Sequence, residues 1–400
     1  MAAMYDAAVI GAGPAGSCLA RLLAGRGAAV VLIDKARFPR PKPCAGGISP
    51  SAALRCGLSM EGSAEARITS AVLSYESSER LVAAGRRTLA WTVERDRFDA
   101  LLVDLALAAG AGFYDGLPLG ALRRAGNRWE VEAGGRTFRA RFIVGADGAA
   151  SRVARLVGAR RPPMAACIEA TAAVSGPGPT PGRGRLVFDF GRIEAGYAWA
   201  FAKSDGFSVG VYTVRPRSGR ALRRDLEAYI SGEPLLAGAR VSRPRRWFVP
   251  RGVCMHRKIH FDGGLLVGDA AGLADPLTGE GIGPALVSAE LASRALAHSL
   301  DTARPNLARY SRWVDRRLRP GFARARAAAA VAYRGRGEWV GKFVRSGFGE
   351  RPWAEVARGE VSYLSLVWNL AAFSVLGPFR RPRDERSASE IQNPKPEAGR

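Results

Sequence analysis

Three groups of glycines and acids carry the chemistry legible in this 400-residue chain. The first is Gly11-Ala-Gly-Pro-Ala-Gly16. The second is Gly145-Ala-Asp147-Gly148, followed by Ser151 and Arg152. The third is Gly268-Asp269-Ala-Ala-Gly272, running on through Pro276 to Gly279-Glu-Gly281. In the first group Gly11 permits a tight turn, Gly13 lets the backbone approach a pyrophosphate, and Gly16 lets a helix pack close to a strand. A helix starting near Ala15 then offers free N–H groups and the positive end of its dipole to phosphates. Asp34, closing the apolar run Val30–Ile33, is placed to accept hydrogen bonds from an adenosine ribose. An acid there favours an unphosphorylated ribose, as in FAD or NAD.

The third group has a different task. Asp269 follows the apolar run Leu265–Val267, where a carboxylate can bind a sugar-chain hydroxyl such as ribityl or simply cap a helix. Pro276, Gly279 and Gly281 let the backbone pass beneath a flat ring system. A helix beginning at Ile282 can stabilise negative charge on the pyrimidine side of a reduced flavin. In this order the three groups describe one FAD, held from adenosine through pyrophosphate to ribityl chain.

Elements must position these residues. Tyr5–Ile10, the glycine loop, a helix over Ala15–Ala24 and Val30–Ile33 make a strand–turn–helix–strand unit. Arg95 to Gly110 reads as an amphipathic helix with Phe98, Leu101, Leu102, Leu105 and Leu107 on its buried face. Arg128–Ala133 and Thr137–Val144 read as hairpin strands leading into the second glycine group. Strand-like alternation at Leu186–Phe190, Tyr197–Phe201 and Phe207–Tyr212, with a turn at Ser175–Pro181, predicts a separate antiparallel sheet that roofs the flavin. Ile282–Ser299 is a helix, and 304–379 is expected to be helical.

The expected fold class is α/β: a Rossmann-type FAD-binding lobe with an inserted antiparallel β-sheet substrate domain and a helical C-terminal region. The predicted division is 1–160 with 245–300 for the cofactor, with some substrate-lobe strands within 60–95. Residues 161–244 form the inserted sheet, 301–379 the helical region, and 380–400 a polar, disordered tail.

Composition narrows the setting. Hydrophobic content is 47%, ordinary for a globular chain. Lys and Arg number 60 against 36 Asp and Glu, a net charge of +24 that draws the surface to anions. No nucleic-acid recognition motif that interleaves basic residues with stacking aromatics is present, which argues against nucleic acid. Five widely spaced cysteines without a C-x-x-C argue against a disulfide framework or an iron–sulfur cluster. The first strand starts almost at the N-terminus, leaving no room for a signal peptide, so a reducing, cytoplasmic setting is expected. Cys254-x-His256-x-x-x-His260 has metal-like spacing but precedes a strand of the cofactor lobe; no metal is expected.

The chain resembles the geranylgeranyl reductase family, within the flavoproteins that share the p-hydroxybenzoate hydroxylase fold. The resemblance spans roughly residues 5–300 and rests on the three glycine groups, on Arg95-x-x-Phe98-Asp99 and on two narrower motifs. Lys42-Pro-Cys44-Ala45-Gly-Gly47-Ile-Ser-Pro50 is similar to the family loop whose cysteine and glycines sit by the flavin. Tyr197-x-Trp199-x-Phe201-x-Lys203, with Val209-Gly210, resembles the segment implicated in holding the isoprenoid. Ala202 stands where the family usually has proline, and Tyr212 replaces a second glycine; both bear on the shape of the substrate channel. The resemblance implies cofactor contacts at Gly11, Gly13, Ala15, Gly16, Asp34, Lys35, Cys44, Ala45, Gly47, Arg95, Leu119, Asp147, Asp269, Pro276, Gly281 and Ile282. It implies catalytic positions at Cys44, Tyr197, Trp199 and Phe201.

The residues themselves agree with a site there. Tyr197, Trp199 and Phe201 alternate on one strand and share a face. Such a wall suits an apolar polyene, which binds by contact area, although core packing would give the same pattern. Cys44 either donates a proton to the carbon opposite the hydride or packs by the ring. The expected activity is FAD-dependent saturation of geranylgeranyl-type double bonds on a lipid, quinone or pigment. The alternative is a monooxygenase of the same fold acting on an aromatic or apolar small molecule. A halogenase lacks support because W-x-W-x-I-P is missing. A binding protein without turnover is the third reading. Electrons would come from NAD(P)H, bound transiently, or from an acidic ferredoxin. The apolar stretch Val361–Phe379 reads as a buried C-terminal helix or, with the cation-rich region after residue 304, as attachment to the inner face of an anionic membrane. That stretch is too polar inside for a spanning helix.

Overall fold

The computed structural model describes residues 4–84, 87–174, 182–252, 258–302, 305–334 and 337–346. The metal-spaced Cys254 and His256, the turn at Ser175–Pro181, the stretch Val361–Phe379 and the tail lie outside the described residues.

A short β1 (Met4–Ile10) is the centre of the first sheet. It pairs in parallel with Val30–Ile33 on one side and with Arg136–Gly145 on the other. Gly112–Tyr114 and Gly264–Leu266 extend the two flanks in parallel, and the hairpin Leu119–Ala125 with Arg128–Ala133 folds antiparallel onto Arg136–Gly145. The inner strands are apolar at nearly every position because helices cover both faces of a parallel sheet. Helix α1 (Pro14–Ala24) follows β1 directly; α2 spans Pro50–Cys56 and α3 Arg95–Ala108. Within α3, Phe98 and Leu102 are buried as the periodicity predicts. Leu107 is 45% exposed, because five residues past Leu102 it has rotated off the apolar stripe.

A second eight-stranded sheet follows the order Arg240–Val241, Met164–Ala173, Gly206–Thr213, Gly196–Ala202, Arg185–Phe190, Ser70–Tyr75 and Glu79–Ala84, with Arg245–Pro250 also on Met164–Ala173. All its pairs are antiparallel except Arg185–Phe190 with Ser70–Tyr75, which is parallel. The strands Gly196–Ala202 and Gly206–Thr213 are buried at every residue, so both faces of the sheet centre are covered. Helix α4 spans Arg152–Leu156, and α5 (Gly219–Gly232) packs Leu222, Leu226 and Tyr229 into this sheet's core.

Three further helices follow, α6 (Ile282–Leu300), α7 (Ala308–Ala332) and α8 (Glu338–Ser346), and α7 joins the two sheets. Tyr310 of α7 donates its hydroxyl to the Leu266 carbonyl of the first sheet at 2.8 Å. Further along α7, Ala325, Ala328, Ala329 and Ala332 join the core of the second sheet. Among the described residues no helix is long and apolar enough to cross a membrane.

Candidate active site

The glycine loop folds as its spacing requires. Gly11 has φ +106°, and a Cβ on it would lie 2.4 Å from the Ala146 carbonyl oxygen. A Cβ on Gly16 would come within 1.8 Å of the Gly11 carbonyl oxygen, so α1 and the loop touch backbone to backbone. Above Gly13 the nearest neighbour to such a Cβ is the Arg40 guanidinium, 3.7 Å away. Gly13 caps α1 without any side-chain hydrogen bond, and the first turn holds no acid. The N–H groups of that turn therefore face an open cradle beside a cation, which fits a pyrophosphate.

Asp34 is buried and braces this loop: Oδ2 accepts from the Ala12 amide at 2.7 Å and Oδ1 from the Ala36 amide at 2.9 Å. Lys35 beside it is exposed. The Leu117 amide bonds the Asp34 carbonyl, bringing the start of the Leu119 strand to the same end of the sheet. Asp147 directs both carboxylate oxygens to the start of α4, accepting from Ser151 Oγ at 2.5 Å and from the Arg152 amide at 2.6 Å.

From the loop a cavity of about 460 Å³ runs between the two sheets. Gly13, Ala15, Cys44, Ala45, Gly47, Arg95, Asp269, Gly281, Ile282, Tyr197, Trp199 and Phe201 all line it. Gly11, Gly16, Asp34, Lys35, Leu119, Asp147 and Pro276 do not line it. Asp269 half-faces the cavity with no hydrogen-bond partner for its carboxylate among the described residues, leaving it free for a sugar-chain hydroxyl. Arg95 is buried and bidentate to Asp99, at 2.9 and 2.8 Å, and Arg40 reaches the same carboxylate at 3.1 Å. Burial opposes the Arg95 charge, but Asp99 and the Cys44 thiol beside it outweigh burial and raise its pKa. Lys42, whose ammonium lies 5.7 Å over the Trp247 ring, is lowered by burial and then by Arg95.

At the α6 end the Glu280 carboxylate accepts from the Gly283 amide at 2.6 Å, so this acid occupies part of the helix N-terminus assigned to the pyrimidine ring. Burial first, then the charges of Asp275 and Asp269, pushes Glu280 up to about 7, against the helix amides.

The roof of the cavity is one face of the second sheet, set by strand register. Glu169, Gly210, Trp199 and Phe188 form one cross-strand row; Cys167, Tyr212 and Tyr197 form the next. Tyr212 stacks on Tyr197 with centroids 5.3 Å apart, and the Tyr197 hydroxyl donates to the Thr278 carbonyl. Tyr333 donates likewise to Leu277. The Trp199 indole donates to Ser208 Oγ at 3.2 Å, and Ser208 donates to Glu169 Oε1 at 2.8 Å. Burial raises the Glu169 pKa, while Ser208, Lys203 and the Cys44 backbone amide pull it down. Cys44 Sγ accepts from the Gly46 amide at 3.4 Å.

Arg40, Glu169 and Glu280 escaped the sequence reading. Glu169 left a signal: a lone acid in the otherwise uncharged strand Met164–Ala173. A second cavity, about 1340 Å³, contains none of the motif residues and is lined by Arg124, Arg141, Arg160, Arg161, Lys258 and Arg319 among others. His260 lies there, its ring nitrogen 2.7 Å from Ser311 Oγ. Among the described residues no cluster of His, Cys, Asp or Glu could hold a metal.

Comparison with known proteins agrees with this geometry. Residues 4–174 match the family model described as FAD binding domain. The chain is 34% identical over 348 residues to digeranylgeranylglycerophospholipid reductase 1 of Methanopyrus kandleri, covering 82% of this chain and 90% of that protein. The crystal structure of a geranylgeranyl bacteriochlorophyll reductase-like protein from Thermoplasma acidophilum superposes with a TM-score of 0.79 at 21% identity, over 94% of this chain and 98% of that one. A flavin-dependent brominase shares the fold at 17% identity with a TM-score of 0.69, over 94% and 96% of the chains. The fold and the cradle define an FAD-dependent oxidoreductase. The chain belongs to the geranylgeranyl reductase family.

Proposed function

We propose that this enzyme saturates geranylgeranyl-type double bonds of a lipid, quinone or pigment. The observation that carries the reading is the roof of the cavity: Leu186, Phe188, Tyr197, Trp199, Phe201 and Tyr212 form an apolar wall that continues into the cofactor cradle. A polyene offers no hydrogen bonds, so contact area with such a wall is what can hold it.

Residues Gly13, Ala15, Arg40, Arg95, Asp269 and Gly281 would hold FAD. When bound, FAD supplies the hydride for the alkene. The chain's own part is to position and to exclude water. Isolated alkenes are poor hydride acceptors, so a dry, orienting slot is the main contribution. The Cys44–Gly47 loop, pinned by Arg95 and by the Gly46 amide, sets the floor opposite the aromatic roof.

Electrons would arrive from transiently bound NAD(P)H or from an acidic ferredoxin drawn to the basic surface. Arg312, Arg316, Arg317 and Arg319 are exposed along α7 and support attachment to an anionic bilayer where the substrate resides. Flotation with anionic vesicles at low salt tests the attachment: recovery with the vesicles is expected, and its absence removes the idea. Mass spectrometry of lipids and quinones from cells with and without the gene tests the activity. Less saturated prenyl chains are expected without it; identical saturation would refute the proposal.

A further inference from the structure

We propose that Glu169 is the acid of this site, whose carboxyl delivers the proton that completes saturation of the double bond. Ser208 and Trp199 are the positioning residues that aim it. The inference rests on the alkene-reduction reading above and adds the group that reading lacks.

Four carboxyls line the cavity: Glu169, Asp269, Asp275 and Glu280. The last three sit on the turn that leads into α6, on the cofactor side. Glu169 alone is on the sheet face, in the same cross-strand row as Trp199. Gly210 stands between them in that row. Because it has no side chain, the indole crosses its place, and a Cβ there would lie 2.2 Å from the ring. The indole thereby reaches Ser208, and Ser208 fixes Glu169 Oε1. The Cys44 backbone amide on the facing loop is the second hydrogen-bond partner of this carboxyl.

Desolvation disfavours a charged carboxylate in such a slot and raises the pKa of the group. The charged and titratable groups that face it are few. Lys203 is bonded to the Val93 carbonyl and paired with Glu94 at 3.1 Å. Cys167 lies two residues along the same strand, Cys44 and Lys42 are on the facing loop, and the exposed Arg245 is its register partner on the outer strand. Cys44 is the competing proton source. Its sulfur is turned to two donors, the Gly46 amide and the Arg95 guanidinium.

The step balances. The Glu169 O–H bond breaks and its electron pair stays on the carboxylate. The alkene π pair forms a C–H bond to that proton, and the neighbouring carbon takes the hydride assigned above. Water then returns a proton to the carboxylate.

The test uses FAD-loaded protein, reduced anaerobically and mixed with a geranylgeranyl-bearing phospholipid, with flavin reoxidation followed across pH. The wild-type rate should fall as pH rises and the carboxyl loses its proton. Glu169→Gln should lower the rate by about 10²–10⁴-fold and abolish that limb. Ser208→Ala should move the limb to higher pH, since the lost hydrogen bond held the pKa down. Cys44→Ala should leave the limb in place. Independently of turnover, the wild type should show a protonated-carboxyl infrared band that Glu169→Gln lacks and Glu169→Asp retains. An unchanged flavin spectrum and melting temperature in each variant confirm the fold. A wild-type rate and limb in Glu169→Gln, or no such band in active wild type, overturns the assignment to Glu169. A band in a wild type that reduces no prenyl chain overturns the alkene-reduction reading and the donor role with it.

Discussion

The Trp199 indole occupies the space that any side chain at Gly210 would need, so these two residues on neighbouring strands are fitted to one another. Adding a methyl group there must push the ring off Ser208 or part the strands. Gly210→Ala should lower stability by about 1–3 kcal/mol, the usual range for overpacking. It should also reduce prenyl turnover while FAD stays bound. A melting curve and the flavin absorbance of the purified variant check both.

The cradle makes a separate prediction. Gly16→Ala places a methyl group 1.8 Å from the Gly11 carbonyl oxygen, a clash between backbone segments that no rotamer relieves. The variant should purify without yellow colour and regain little on incubation with FAD. A fully yellow Gly16→Ala protein would contradict the tight loop described here.

Asp34 gives a third. Its buried carboxylate accepts two backbone amides that nothing else reaches. Asp34→Ala should cost about 2–4 kcal/mol by leaving those donors unpaired. Asp34→Asn should cost less, because one oxygen can still accept. Chemical denaturation of the three proteins reads the order directly.

Glu280 titrates at about 7, above the ordinary carboxylate value of 4.5. A raised folded-state pKa means that the folded protein holds this proton more tightly than the unfolded chain. The contribution to stability is therefore full at low pH and is lost as pH rises through about 7. In cofactor-free protein, the melting temperature of Glu280→Gln should gain on that of the wild type between pH 5 and pH 8. Parallel curves across that range would argue against the shift.

Tyr212 fills the place where the resemblance leads one to expect glycine. It stacks on Tyr197 and approaches Gly279, where a Cβ would lie 2.9 Å from its ring. Tyr212→Ala should lower stability by about 3–5 kcal/mol through the cavity it leaves. In the same protein the slot lengthens, so bulkier prenyl substrates should gain relative to shorter ones in direct competition.

Much of this was legible in the sequence, for physical reasons. Gly11, by its positive φ, and Gly16, by its contact with the Gly11 carbonyl, are demanded by local backbone geometry, and local demands show in spacing. Tyr197, Trp199 and Phe201 share a face because strand side chains alternate, which also reads from the chain alone. Register across strands does not. That Gly210 lies beside Trp199, and that Glu169 completes the row, depends on which strand pairs with which. The parallel pairing of Ser70–Tyr75 with Arg185–Phe190 escaped for the same reason. Leu107 misled because a leucine is apolar whichever way it points, and the turn of the helix decides. Glu280 was hidden by its glycine neighbours, which drew attention to the backbone rather than to the acid.

The most direct measurement of the central claim is anaerobic. Purified yellow protein, reduced and then mixed with a geranylgeranyl-bearing lipid, should return to the oxidised flavin spectrum while the lipid gains one pair of hydrogens per saturated bond by mass spectrometry. A lipid of unchanged mass, or one that gains oxygen only when air is admitted, would contradict the account.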